Sequence, residues 1–196
     1  MPDTRTDQFE TLLLEERGQV DWLTLNRPDS LNALNPTMVS ELRSYFRDLG
    51  RAFCAGLDLK TVGKPEESLA MGSVQAGLIS QRNIAEIYLA MRRCPQPIIA
   101  LINGAACGGG FSLAMASDIR IADTTARMNC AYIRIGLGGC DMGSSYFLPR
   151  LVGASLASEL ILTGKFINAE RALSVGLVSQ VAEAGQLEAA AEEDIQ

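Results

Sequence analysis

The stretch from Pro97 to Gly110 constrains the fold most. Residues 97–102 form an unbroken apolar run of strand length, and glycines follow at 108, 109 and 110. Such a run predicts a strand buried on both faces. Pro95 and Pro97 stop any helix that precedes it. Residues 104–110 read as a glycine-rich turn, and residues 111–116 as a helix of small and apolar side chains. Glycine permits a tight turn and lets a helix pack closely on a strand. Taken alone, the three glycines require nothing more. They match neither a phosphate-binding loop, since no Gly-Lys-Ser or Gly-Lys-Thr follows, nor a Gly-x-Gly-x-x-Gly fingerprint.

Before this stretch, residues 11–15 and 20–25 predict two strands of a hairpin around Gly18. Asn35 and Pro36 predict an N-cap and a first helical residue. Met38, Leu42, Tyr45, Phe46 and Leu49 follow at helical spacing, with Gly50 past the end. Residues 63–75 read as a polar loop. Ile79, Ile84, Ile87, Tyr88 and Met91 predict a helix ending near Arg92 and Arg93. Beyond the glycines, strands are expected over 119–122 and 177–181, with a further apolar piece at 133–137. Helices are expected over 142–151, 154–162 and 187–196, and another from an N-cap at Asn168 to Gly176. Strands alternating with helices argue an α/β fold with a largely parallel sheet in one domain spanning residues 1–196.

Composition excludes several chemistries. The chain has no histidine, so a Ser-His-Asp or Cys-His nucleophile and an imidazole metal site are ruled out. Any acid or base must be a carboxylate, Tyr, Lys, Cys or a positioned water. With a net charge of −6 and no cluster of Lys and Arg, nucleic acid is a poor partner. The five cysteines contain no Cys-x-x-Cys pair and read as reduced thiols, with Cys54, Cys107 and Cys130 as small core fillers. No apolar run is long enough to span a bilayer and no leader is visible, so the expected location is cytoplasmic.

Two segments together are specific: RAFCAGLDLK over 51–60 and PIIALINGAACGGG over 97–110. Both resemble the enoyl-CoA hydratase/isomerase (crotonase) superfamily. So do LNRP and LNAL over 25–34, SDIRIA over 117–122, and the run from Leu162-Thr163-Gly164 to Gly176-Leu177-Val178. The resemblance implies a ClpP/crotonase spiral of ββα units, a sheet core flanked by helices. It implies an enzyme on acyl-CoA thioesters, a lyase of the enoyl-CoA hydratase type in fatty acid metabolism, with trimers or hexamers. The N–H groups of Leu57 and Gly109 would form an oxyanion hole. Arg27, Ala33, Cys54, Ala55, Leu57 and Leu59 would line the coenzyme A path. Coenzyme A, as substrate carrier, is the one cofactor implied, and no metal is expected.

The chain departs from the family where its two catalytic glutamates fall, because Ser112 and Tyr132 stand there. Asp141 falls where some relatives carry a catalytic aspartate, and it is equally expected as the N-cap of the helix over 142–151. An isomerase, a dehalogenase-like thioester hydrolase using Asp141, and a non-catalytic coenzyme A-binding relative therefore stay open. The family's buried strand between Gly50 and Arg51 has no counterpart, which is expected to expose sheet edges. The resemblance likewise implies C-terminal helices that are expected to have no counterpart in this sequence.

Overall fold

A computed structural model describes residues 3–4, 9–18, 20–48 and 72–195. Strands β1 (Asp3–Thr4), β2 (Leu12–Arg17) and β3 (Val20–Leu25) make an antiparallel sheet in that order. The β2–β3 hairpin pairs Arg17 with Val20 and Leu12 with Leu25 around Gly18. A compact loop leads to helix α1 (Pro36–Asp48), whose Met38 N–H donates to the Asn35 side chain at 2.9 Å. The expected cap is therefore in place. Helix α2 (Ser73–Arg93) packs on α1. It begins inside the segment read as loop, and Gly50 and the rest of that segment lie outside the described residues.

The glycine-rich region holds more structure than a turn. β4 (Ile99–Ile102) is followed by a bend at Asn103-Gly104, then a short strand β5 (Ala105–Cys107), then helix α3 (Gly109–Ala116). β6 (Ile119–Asp123) and β7 (Arg127–Asn129) repeat this bend. β4 pairs in parallel with β6, and β5 with β7. Each bent strand pair thus stacks on the next through two separate ladders. The single, largely parallel sheet expected from the sequence is replaced by three sheets of three strands among the described residues: β1-β2-β3, β4-β6-β9 and β5-β7-β8. The cause is the bend, which turns each chain segment out of one ladder into another.

The rest of the chain adds 3-10 turns at Ala131–Ile135 and Asp141–Gly143, then helix α4 (Ser144–Thr163). The first turn corrects the apolar piece at 133–137: Ile133 and Ile135 are 45% and 46% exposed, so no buried strand forms there. Helix α4 breaks at Gly153, where φ is 78°, which divides it much as the two expected helices were divided. Strand β8 (Ile167–Asn168), helix α5 (Ala169–Ser174), strand β9 (Gln180–Ala182) and helix α6 (Leu187–Ile195) complete the chain. The strand expected over 177–181 forms only from Gln180. Asn168 caps α5 by accepting from the Arg171 N–H at 3.0 Å.

The main core gathers α1, α2, α3 and the inner faces of the β4–β7 units, with Phe111, Leu113, Ile87 and Met38 fully enclosed. A smaller cluster on the other face of β4 and β6 holds Ile99, Leu101 and Ile121 against Ala190 and Ala191 of α6 and against Trp22. β4 is therefore covered on both faces, less completely on the second. Among the described residues, no helix is long and apolar enough to cross a membrane.

Candidate active site

Helix α3 is buried along its whole length, and its first turn organises the site. Gly108 precedes it with φ 54°, a left-handed backbone that disfavours any side chain. The Gly108 N–H donates to the Asn129 carbonyl at 3.0 Å, which ties the turn to β7. Gly109 is the first helical residue. Its N–H has no acceptor within the helix, and it lies at the positive end of the helix dipole. A Cβ on Gly109 would lie 3.0 Å from Met142 Sδ, 3.2 Å from Leu34 Cδ1 and 3.4 Å from the Tyr88 hydroxyl. Tyr88 donates to the Gly109 carbonyl at 3.2 Å. These three side chains wall the approach to the helix start.

One turn on, the two positions that the sequence resemblance set against glutamates meet directly. The Ser112 and Tyr132 hydroxyls are 2.5 Å apart, and Ser112 also bonds the Ser144 hydroxyl at 3.1 Å. All three residues are buried. The Tyr132 ring lies against Gly108, with Cε1 3.6 Å from where a Cβ would be. Cys130 extends the cluster through a hydrogen bond with Ser144. Burial pushes its thiol up to about 12, against the opposing pull of that bond. Cys130 is thus a neutral core thiol, and Cys107, half-buried, is also raised by desolvation.

Of the residues singled out in the sequence, Gly109, Ser112 and Tyr132 converge. Leu57, Cys54, Ala55 and Leu59 lie outside the described residues. Arg27 and Ala33 are held together in one loop. The Arg27 guanidinium donates to the Ala33 carbonyl, and to the Ser30 hydroxyl at 3.2 Å. The Arg27 N–H donates to the Asn32 side chain at 2.7 Å. Arg27 therefore shapes the loop that delivers Leu34 to Gly109.

Asp141 does not occupy the cap position of the following helix. It opens the 3-10 turn Asp141–Gly143, and the cap position falls to Gly143. Met142 and Gly143 take positive φ, 49° and 79°, and this turns the chain before the helix begins. The Asp141–Gly143 turn packs on α2 and α3, and its Met142 side chain forms part of Gly109's wall. The Asp141 side chain lies outside what is described.

Ser144, Met142, Leu34 and Tyr88 carry no signal in the sequence that marks them as site residues. Their roles come from contacts between distant segments.

A family model for enoyl-CoA hydratase/isomerase matches residues 15–196. The probable enoyl-CoA hydratase echA12 of Mycobacterium leprae is 37% identical over 177 residues, covering 83% of this chain and 60% of that protein. The chain thus spans less than two thirds of that relative's length. The (E)-benzylidenesuccinyl-CoA hydratase of Thauera aromatica is 33% identical over 190 residues, covering 89% of this chain and 70% of that protein. The crystal structure of an enoyl-CoA hydratase from Bacillus anthracis superposes with a TM-score of 0.80 at 31% identity, covering 94% of this chain and 74% of that one.

Proposed function

From membership of the enoyl-CoA hydratase/isomerase family, to which this chain belongs through the match over residues 15–196, we propose that the protein acts on an acyl-CoA thioester and stabilises its enolate with main-chain N–H groups. One donor is Gly109 and the other is Leu57. Enolate formation places negative charge on the thioester oxygen, so donors fixed there bind the transition state more tightly than the substrate. The observation that carries this reading is the first-turn N–H of a buried helix, walled by Leu34, Met142 and Tyr88, one turn from a pair of bonded hydroxyls.

The preferred reaction is hydration of a 2-enoyl thioester, with Asp141 moving the proton and Tyr132 and Ser112 orienting the water and acyl group. Neutral hydroxyls at the two glutamate positions cannot act as carboxylate bases, which concentrates the proton transfer on Asp141. The turn that carries it lies against Gly109's wall. Isomerisation of the double bond is the second reading, favoured by having one aspartate position rather than two. Coenzyme A binding falls to the Arg27–Ala33 loop with Cys54, Ala55 and Leu59. Assembly into trimers or hexamers belongs to the same reading, and the exposed Tyr146, Leu162 and Phe166 offer apolar surface for it.

Kinetics on a 2-enoyl-CoA and a 3-enoyl-CoA test the assignment. Asp141→Asn is expected to abolish turnover of the preferred substrate while leaving acyl-CoA binding within about threefold. Unchanged turnover removes Asp141 from the mechanism.

A further inference from the structure

Between β3 and β4 lies a cleft of about 1210 Å³ that the acyl-CoA reading meets only at Asn32. β3 is the outer strand of the first sheet and β4 the outer strand of the second. Along β3, Asn26 N–H donates to the Thr11 carbonyl, so main-chain groups at even positions face β2. Those of Asp21, Leu23 and Leu25 therefore face outward, because backbone direction alternates along a strand. Along β4, the Ile98 carbonyl accepts from Asp118 and Ile119 N–H, which directs residues 98, 100 and 102 toward β6. Ile99 and Leu101 consequently face away from it. Both outward rows line the cleft, and neither pairs with a strand among the described residues.

We propose that this cleft binds an extended peptide segment, apolar at its centre and bearing lysine or arginine at its ends, which inserts as a strand and pairs with both edges. Unpaired N–H and C=O rows are a ready template for strand addition. The outward edge of β3 has neither proline nor lysine from Val20 to Leu25, and its one charged residue, Asp21, accepts from the Tyr45 hydroxyl at 3.1 Å. Half-buried Leu23, Ile99, Leu101 and Trp22 supply an apolar floor. Charge selects the ends. Among the described residues, the lining includes Asp21, Asp123, Glu188, Glu192 and Asp194 and no Lys or Arg, with Arg17 at the mouth paired to Glu188. Asp123 is turned to Thr125 and Glu188 to Arg17, while Glu192 and Asp194 stand exposed on α6 at the rim. The inference is independent of the thioester chemistry.

Trp22 is the only tryptophan of the chain and lines the cleft, so its emission reports occupancy. The probe is an acetylated, amidated peptide, Lys-Thr-Val-Ile-Val-Thr-Lys, titrated into the intact chain. A saturable change in Trp22 emission is expected. A peptide N-methylated at alternate residues, unable to donate along one edge, is expected to bind at least about tenfold more weakly. Glu192→Lys with Asp194→Lys is expected to weaken binding severalfold at low salt, with the difference shrinking as salt rises. Three results overturn the proposal. One is no saturable change up to about 1 mM peptide. Another is equal binding of the N-methylated peptide, which marks a greasy surface rather than a ladder. The last is a Trp22 shift driven by protein concentration alone, which assigns the cleft to a second copy.

Discussion

The first turn of α3 and the cleft between β3 and β4 differ in which groups remain to be satisfied. Around α3 the hydroxyls of Ser112, Tyr132 and Ser144 are buried and joined through Ser112, and the Gly109 N–H has no acceptor within its helix. Along the cleft, two rows of main-chain groups face outward beneath an acidic rim. The first region offers a point donor in an enclosed, polar-matched setting, suited to charge appearing on a single atom. The second offers a repeating pattern, suited to another backbone. A chain can thus hold a site for chemistry and a site for pairing, which meet at Asn32 of the Arg27–Ala33 loop.

The sharpest way to break this contrast is to remove the point donor. Gly109→Pro deletes the N–H at a first helical position, where proline is tolerated. It should lower kcat/KM by roughly 100- to 1000-fold, the usual cost of an oxyanion donor. Gly109→Ala keeps the N–H and controls for crowding against Met142 and Leu34, so it should lose less. Trp22 emission should be unchanged in both. If the alanine and proline variants are equally impaired, the wall rather than the donor controls activity.

Next in size is the hydroxyl cluster. Tyr132→Phe or Ser144→Ala removes one of two partners of a buried Ser112 hydroxyl. Each should cost about 1–2 kcal/mol in urea unfolding. The double variant should fall short of additive, because both act on the same group. Strict additivity would mean that the three hydroxyls do not work as one network.

The smallest effect belongs to the cleft mouth. Arg17 stacks over Trp22 at 4.5 Å and bridges Glu15 and Glu188, each at 2.8 Å. The hydrogen bond from Arg17 holds the Glu15 carboxyl below its ordinary value. A depressed carboxyl pKa contributes stability above the unfolded-state value, and this is lost as pH falls through the folded one. Trp22 emission should therefore shift modestly on acidification below about pH 4, the ordinary carboxylate range. Arg17→Met should abolish the shift. An unchanged acid response in that variant would detach Trp22 from the bridge.

The same contrast explains what was legible in the sequence. Local devices were readable: the hairpin at Gly18, the caps at Asn35 and Asn168, and the helices ending at Arg93 and before Gly176. Each depends on neighbours a few residues away. The family segments also pointed to Gly109, Ser112 and Tyr132, which the fold brings to one place. Strand β5 was hidden, because three residues in a glycine stretch become a strand only by pairing with β7. Ser144 was hidden among other small residues, since its partner is 32 positions away. Asp141 looked like a cap because the positive φ values of Met142 and Gly143 leave little trace in residue type. The outward edges of β3 and β4 belong to no side chain at all.

The chain of hydroxyls through Ser112 also fixes the order of its protons. Ser112 has one hydrogen to give and two oxygen neighbours, Tyr132 and Ser144. When it gives toward Ser144, the phenol must point its own hydrogen at Ser112 and shows only lone pairs to a bound molecule. When it gives toward the phenol, Tyr132 accepts from Ser112 and its own hydrogen points elsewhere. Reversing the direction of two O–H bonds thus converts the same neutral tyrosine from acceptor to donor, with no ionisation and no movement of heavy atoms.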